Sequence, residues 1–335
     1  MSDSAISTSD SPAAWSRCLI AFLGTLAGVA ALLVAFLIAV DPYDTGKFGF
    51  LGINGVDDRN TTTATASRAR DASFDSAIIG NSTALMINPN PLSQATGFRF
   101  VQLAVMGGSP REELAVLDFF QRHHPRPGAF VFVTDPSWCV HVPDAQPRPF
   151  PYWLYDTSWL PYARRLWSSA AIEHAVQRVG IGLGFRKRSD PTGTFNADDV
   201  WPAGQFFDRA RPADPPPVDT VSRNVFPEVA KLEDVVRKLP PDVPVVILVP
   251  PTLASTVPQP GSAQAIELQA CNAALGKIVA GRAHSNFINY RLDNALTRDR
   301  ANFADYIHYR PLIAAKISDG IAASLGLGDA AKIDF

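Results

Sequence analysis

The chain has 335 residues, a formal net charge of −2 and 47% apolar residues, and only 19% of its residues are charged. This globular composition excludes an intrinsically disordered chain. The near-neutral charge provides no electrostatic surface for nucleic acid, so we expect no nucleic-acid partner. About 295 residues follow the apolar N-terminal segment, which is enough for one large α/β domain with insertions or for two small domains.

Residues 18–40 form an uncharged apolar run in which Thr25 is the single polar side chain. As a helix, these 23 residues extend over roughly 35 Å, whereas the hydrocarbon core of a bilayer is about 30 Å thick. The run therefore predicts a transmembrane helix. Two alternatives are a buried helix of a soluble protein and a cleaved signal peptide, although the apolar core of a signal peptide is usually ~7–15 residues long.

The orientation of this helix follows from the charges at its two ends. Arg17 precedes the apolar run and Lys47 follows it, so the basic residues nearly balance. The free amino terminus and the short tail favour a cytoplasmic location for residues 1–17. We therefore expect a single-pass protein of the cell inner membrane, with its C-terminal part in the periplasm.

The chain contains three cysteines, of which Cys18 lies in the apolar run. Cys139 and Cys271 would share an oxidising compartment outside the cytoplasm, where they could form a disulfide. Equally, both could be small buried apolar groups. The expectation from sequence is that they stay unpaired.

The exported part alternates between strand and helix patterns. Residues 41–72 are polar and are expected to form an irregular linker. Short apolar runs predict strands at residues 74–80, 99–105, 128–136, 243–251 and 286–292, and amphipathic patterns predict helices at residues 110–123, 225–239, 263–280 and 312–325. This alternation predicts one α/β domain over residues 73–330, with a mainly parallel, flavodoxin-like sheet and helices on both faces. Residues 137–223 interrupt the alternation as a long insertion.

Active sites in parallel sheets lie at the carboxyl ends of the strands. Asn81 and Ser82 directly follow the first predicted strand. A serine there can present its hydroxyl at the sheet edge and its N–H towards an anion, or it can cap a helix. Gly107 follows the second strand, where a glycine allows backbone N–H groups to approach a ligand, or simply forms a turn.

Asp305 and His308 stand three residues apart, shortly before the last predicted helix. At this spacing the carboxylate can bind the imidazole and fix its tautomer, and the imidazole can accept a proton from a serine hydroxyl. An Asp-x-x-His sequence by itself is common and is more often structural.

Taken together, these segments resemble the SGNH (GDSL-like) hydrolase family over roughly residues 74–325. Residues 80–82 (Gly-Asn-Ser) stand where that family has Gly-Asp-Ser, Gly107 matches its second-block glycine, and Asp305 and His308 match its last block. The resemblance implies that Ser82 is the nucleophile, His308 the general base and Asp305 the partner that orients it. It also implies that the N–H groups of Ser82 and Gly107 form part of an oxyanion hole.

The chain departs from the family pattern in the third block, which usually supplies an asparagine to the oxyanion hole. Here the corresponding position carries Asp135, and a carboxylate repels an oxyanion unless it is protonated or turned away. Either Asn81 or another donor completes the hole, or the activity is weak or absent.

The combination of one N-terminal span and an exported domain is similar in architecture to the membrane-anchored D-alanine transfer proteins of the teichoic-acid pathway. The alginate and peptidoglycan O-acetyltransferases are related in role. These resemblances imply an extracytoplasmic serine esterase or O-acyltransferase that needs no cofactor and acts on an envelope polysaccharide or acylated glycan, with a membrane-bound protein as acyl donor. The alternative is a catalytically inactive, SGNH-like glycan-binding or scaffold protein of an envelope export complex.

Aromatic residues crowd the first part of the insertion, namely Trp138, Phe150, Tyr152, Trp153, Tyr155, Trp159, Tyr162 and Trp167. Sugar rings stack on such side chains, and Trp138 and Trp153 are the candidates for substrate binding. Alternatively, the aromatic residues pack the insertion onto the domain or lie at the membrane interface. The histidines outside the Asp-x-x-His segment have no acidic or cysteine partner at a metal-ligand spacing, so no metal site is expected.

Overall fold

The computed structural model describes residues 12–57, 61–140, 149–208 and 225–326. Its centre is a parallel sheet of five strands, β1 (Ser76–Gly80), β2 (Phe100–Ala104), β3 (Phe130–Val133), β4 (Val245–Val249) and β5 (Asn286–Asn289). The strand order β2-β1-β3-β4-β5 is the flavodoxin-like order of doubly wound sheets, whose switch point lies between the first and third strands. The predicted parallel α/β sheet is confirmed, although each strand is shorter than its apolar run.

The strands β1 to β4 are buried along their whole length, because helices cover both faces of the sheet. In β3, Phe130 and Phe132 belong to the apolar core on one face, whereas Val131 and Val133 belong to the core on the other. A strand buried on both faces has no polar side to alternate with, which explains the continuous apolar runs in the sequence.

The described residues contain twelve α-helices. In chain order they are α1 (Pro12–Val40), α2 (Thr61–Ala69), α3 (Pro89–Thr96), α4 (Pro110–His123), α5 (Tyr152–Tyr155), α6 (Trp159–Arg165), α7 (Ser169–Gly182), α8 (Ala197–Val200), α9 (Pro227–Lys238), α10 (Ala263–Val279), α11 (Ala295–Arg298) and α12 (Pro311–Ser324). Helices α2, α4, α9 and α10 contribute to the core on one face of the sheet, and α3 and α12 to the core on the other. The four helices predicted from amphipathic patterns correspond to α4, α9, α10 and α12.

Helix α1 is long and apolar enough to cross a membrane, with a mean hydropathy of 2.6 in its most apolar window. It begins at Pro12, six residues before the uncharged run, because the polar residues around Arg17 continue the same helix. The other end of α1 joins the domain. Leu37 and Val40 are buried in the same apolar core as α2 and α4.

The expectation of an irregular linker over residues 41–72 is wrong. This segment contains α2, and the carboxylate of Asp44, earlier in the same segment, is buried. Asp44 accepts hydrogen bonds from the Ser67 hydroxyl at 2.6 Å and pairs with Arg178 at 2.8 Å, which compensates for the cost of burying its charge. The small alanine, serine and threonine side chains of α2 give little apolar signal, yet they allow the helix to pack closely on β2.

The expectation that the two cysteines outside the apolar run stay unpaired is also wrong. Cys139 and Cys271 form a disulfide, with their Cα atoms 5.6 Å apart. The bond ties the short 3₁₀ turn Pro136–Cys139, directly after β3, to α10. The two cysteines are 132 residues apart in the chain, so no local sequence pattern indicated that the fold brings these two elements together.

Candidate active site

The chain turns sharply where β1 ends, and this turn positions Ser82. A side chain at Gly80 would approach the carbonyl oxygen of Val133 to 2.7 Å, so only glycine permits the contact between β1 and β3 at this point. Asn81 then accepts hydrogen bonds from the backbone N–H of Thr83 at 3.0 Å and from its hydroxyl at 2.9 Å. This Asx turn holds Ser82 at the carboxyl edge of the sheet.

Ser82, His308 and Asp305 form a continuous chain of hydrogen bonds. The Nε2 atom of His308 lies 2.9 Å from the Oγ atom of Ser82. The Nδ1 atom lies 2.9 Å and 2.8 Å from the two carboxylate oxygens of Asp305. A carboxylate beside Nδ1 favours the tautomer with the proton on that nitrogen, which leaves Nε2 to accept a proton from the serine. The fold thus brings together three residues that the sequence separates by up to 226 positions.

Asp305 is held as a carboxylate by its surroundings. Burial acts to raise its pKa, but the hydrogen bond from His308 and those from the backbone N–H groups of Ile307 and His308 outweigh burial, so the pKa of Asp305 lies below its ordinary value. An ionised Asp305 can orient the imidazole and stabilise its positive charge when the ring accepts a proton.

Two residues that the sequence did not single out complete the surroundings of His308. The indole of Trp201 stacks on the imidazole, with ring centroids 4.9 Å apart. Arg310 donates to the carbonyl oxygens of Trp201 and Pro202, each at 3.2 Å, and so ties the end of the insertion to the start of α12. No motif marks Trp201, which lies in the insertion but outside its aromatic-rich part. For Arg310, its position two residues after the histidine was the one sequence feature that could have indicated a place near His308.

The residues that follow β1 and β2 present two backbone N–H groups at the carboxyl edge of the sheet. Gly107 has a φ of +65°, a conformation that glycine adopts without strain, and a side chain there would meet open space. Within the described parts of the chain, the N–H groups of Ser82 and Gly107 donate to no protein acceptor. Both follow adjacent strands at the same edge of the sheet. They are therefore free to donate to a ligand.

Asn81 and Asp135 are directed at each other. The side-chain amide of Asn81 donates to the carboxylate of Asp135. Asp135 also accepts from the backbone N–H of Ser137 at 2.8 Å and from the Ser137 hydroxyl. Burial raises the pKa of Asp135, and these hydrogen bonds and the charge of Arg291 oppose the rise. The carboxylate that would repel an oxyanion is thus engaged with neighbouring donors. The Asn81 amide, expected as an oxyanion donor, is turned towards this carboxylate.

The two tryptophans expected to bind substrate pack the fold instead. Trp138 is fully buried in the core beside α9 and α10. Trp153 packs edge-on against Tyr43, with ring centroids 4.9 Å apart, and also contacts Tyr162, near the end of α1. The expectation for both is corrected, because burying a large aromatic surface stabilises the attachment of the insertion. Trp201, by contrast, lies at the serine site, where its indole stacks on the imidazole of His308.

Within the described residues, no group of three or more histidine, cysteine, aspartate or glutamate side chains could hold a metal ion.

Fold and site together define a doubly wound, parallel α/β protein with a Ser–His–Asp arrangement at the carboxyl edge of its sheet. Comparison of the chain with family models, with curated proteins and with solved structures finds no match. A function is consequently inferred from the geometry and chemistry of the site.

Proposed function

We propose that the chain is a membrane-anchored, extracytoplasmic serine esterase or O-acyltransferase of the SGNH type that acts on a cell-envelope glycan. The observation that carries the proposal is the hydrogen-bond chain from Ser82 through His308 to Asp305, with distances of 2.9 Å and 2.8 Å. Few structural roles require a serine hydroxyl, both nitrogens of an imidazole and a buried carboxylate in line.

The reaction follows from these positions. His308 takes the proton of Ser82 through Nε2 while Oγ attacks the acyl carbonyl carbon. The N–H groups of Ser82 and Gly107 stabilise the oxyanion of the tetrahedral intermediate. As the intermediate collapses, His308 returns the proton to the leaving alcohol, and the acyl group remains as an ester on Ser82. Water or a glycan hydroxyl then gives its proton to His308 and attacks this ester. The bond between Oγ and the acyl carbon breaks, and His308 returns the proton to Ser82. The product is a free acid in an esterase or an acylated glycan in a transferase.

Two observations support a location outside the cytoplasm. Helix α1 could span a membrane, and the Cys139–Cys271 disulfide is a bond that persists in oxidising compartments. We infer a single-pass protein of the inner membrane with its domain in the periplasm. Alkaline phosphatase fused after Phe335 should therefore be active, since this enzyme needs export. An inactive fusion at normal expression would contradict the orientation.

The anchor favours a substrate at the membrane surface. Hydrolysis of a small soluble ester needs no anchor, whereas envelope glycans and membrane-bound acyl donor proteins are found where the domain would stand. We therefore infer transfer of an acyl group to, or its removal from, a polysaccharide that is assembled near the membrane.

A second candidate function is that of a non-catalytic glycan-binding or scaffold protein. Asp135 favours it, since a carboxylate occupies the position where the SGNH family usually has an oxyanion-hole asparagine. The test compares the O-acyl content of envelope polysaccharides in wild-type, deletion and Ser82→Ala cells, with the exposed Ser169→Ala as a matched control. If the protein is an enzyme, Ser82→Ala cells should show the same change in O-acyl content as deletion cells. If Ser82→Ala matches wild type while the deletion shows a defect, the scaffold function holds.

A further inference from the structure

Large apolar side chains that are exposed to solvent concentrate in two segments of the domain. Outside α1, eight of those in the described residues are at least 56% exposed, and seven of the eight belong to residues 50–51 or 159–185. They include Phe50, Leu51, Trp159, Trp167, Val176 and Phe185, which we call the apolar base. The eighth is Leu312, at the start of α12. Contiguous exposed apolar surface on a folded domain marks an interaction site.

Both segments of the apolar base adjoin the end of α1. The backbone N–H groups of Gly49 and Phe50 donate to the carbonyl oxygens of Ile38 and Ala39 at 3.1 Å and 2.9 Å. The residues that precede Leu51 thus run back along the last turn of the helix.

Residues 159–185 reach the same turn from the other segment. Arg178 of α7 donates to the carbonyl oxygens of Val40 and Asp41, and Tyr162 of α6 donates to the Asp41 carboxylate. The apolar base is therefore continuous with the helix that could cross the membrane.

The length of α1 fixes the depth of this contact. About 20 helical residues cross a hydrocarbon core, so a span that starts after the charge of Arg17 ends near Leu37. The carbonyl groups that bind Gly49 and Phe50 belong to the next two residues, at the boundary of the hydrocarbon. Leu37 is fully buried by the domain, whereas Phe36 is exposed, so domain atoms cover one side of the helix at this depth.

The sequence of α7 has the pattern of a helix that lies on a membrane. Ala171, Ala175 and Arg178 are buried against the domain. Ile172, Val176 and Leu183 are exposed, and their spacing of four and seven residues places them along one side of the helix.

The flanking residues of the apolar base have the composition of an interfacial segment. Trp159 and Trp167 are exposed on either side of the exposed Arg164 and Arg165. Tryptophan and basic side chains are enriched where protein meets lipid headgroups.

We propose that the apolar base rests in the headgroup and upper acyl region of the bilayer that α1 crosses. The bilayer, and not a second protein, is the occupant, because this surface begins at the membrane boundary of α1. The inference rests on the proposed membrane anchoring. It adds that the domain is held against the lipid in one orientation, since Asp44 and Arg178 fix it to the end of the anchor.

The experiment places a nitroxide label at single cysteines in the full-length chain, reconstituted in nanodiscs of phosphatidylethanolamine and phosphatidylglycerol. The background is Cys18→Ser with the disulfide intact. Labels at Phe50→Cys and Phe185→Cys report on the apolar base. Leu312→Cys is the matched control, because Leu312 is also an exposed apolar side chain, at 62%, and lies on a helix of the opposite sheet face. Leu26→Cys, within α1, reports on the anchor.

Accessibility to oxygen, which partitions into lipid, is compared with accessibility to a water-soluble nickel chelate. The proposal predicts that labels at Phe50 and Phe185 favour oxygen, as the Leu26 label does, whereas the Leu312 label favours the chelate. If the Leu26 label favours oxygen but the labels at Phe50 and Phe185 behave like the Leu312 label, contact between the apolar base and the lipid is contradicted. Membrane anchoring by α1 is then still supported. A Leu26 label that favours the chelate overturns both. Protection of the base labels from both reagents would show a protein partner and would also overturn the proposal.

Discussion

The indole of Trp201 and the imidazole of His308 are stacked, with ring centroids 4.9 Å apart and an angle of 26° between the planes. Trp201 comes from the insertion and His308 from the segment before α12, so the stack joins two distant parts of the chain. It covers one face of the ring and leaves its edge to Ser82 and Asp305. The insertion therefore contributes to the position of the proposed general base.

This contact predicts the effect of shortening Trp201. An aromatic pair contributes about 0.5–1.5 kcal/mol beyond its buried area, so Trp201→Ala should lower kcat/KM for a small acetyl ester by about two- to twelvefold. Trp201→Phe keeps a ring against the imidazole and should retain most of the activity. Steady-state kinetics with circular dichroism as a folding control measure the effect. Equal rates for Trp201→Ala and wild type would contradict a positioning role.

The Ser–His–Asp arrangement predicts non-additive losses. Ser82→Ala and His308→Ala should each reduce ester turnover by at least about 10³-fold, and the double variant should be scarcely worse, because the residues act as one unit. Asp305→Asn should be comparably damaging, since an amide can stabilise the wrong imidazole tautomer. The exposed Asp293→Asn serves as its control. Wild-type turnover by Ser82→Ala would remove the serine mechanism.

Much of the fold could be predicted from the sequence, because burial on both faces leaves a direct trace in β1 to β4. The positions of Ser82 and His308 at the edges of predicted elements were also accessible, since catalytic groups in parallel sheets follow strands. The approach of Cys139 to Cys271 and of Trp201 to His308 was not, because residues more than a hundred positions apart in the chain show no local pattern of contact. Helix α2 was not predicted, because its small and polar residues show little apolar periodicity.

The hydrogen bond between Asn81 and Asp135 predicts that the two side chains can be exchanged together but not singly. Asn81→Asp alone sets two carboxylates against each other and should lower both thermal stability and kcat/KM. Adding Asp135→Asn restores an amide–carboxylate pair and should recover part of both losses, with a coupling energy of about 0.5–3 kcal/mol. Thermal unfolding and kinetics of the four proteins of this cycle provide the measurement. Strict additivity would show that the pair does not couple in solution.

The disulfide between Cys139 and Cys271 predicts a stability that depends on the redox state. Reduction, or the double variant Cys139→Ala/Cys271→Ala, should lower the free energy of unfolding by about 2–5 kcal/mol. Mass spectrometry without reductant should find the two cysteines in one linked peptide. Cys18→Ser is the control, because Cys18 is free and exposed on α1, and it should leave the unfolding midpoint unchanged. A midpoint insensitive to reductant would contradict the bond.

Glu113 is a fully buried carboxyl on α4. Burial raises the pKa of Glu113 well above 4.5, and the negative charge of Asp135 raises it further. The folded protein therefore keeps a proton that the unfolded chain releases. As a result, the free energy of unfolding falls as the pH rises from about 4.5 towards the pKa of the folded state. Asp305 acts in the opposite sense. Its lowered pKa adds stability that is lost only as the pH falls below about 3.8, outside this window.

Glu113→Gln keeps a neutral side chain of the same size at every pH. The variant should therefore lose less thermal stability than wild type when the pH is raised from about 5.5 to about 8. Glu233→Gln, on the exposed side of α9, is the matched control and should keep the wild-type dependence. Unfolding midpoints of the detergent-solubilised full-length chain at the two pH values measure the difference. The same midpoint difference in wild type and Glu113→Gln would show that Glu113 does not hold a proton in the folded state.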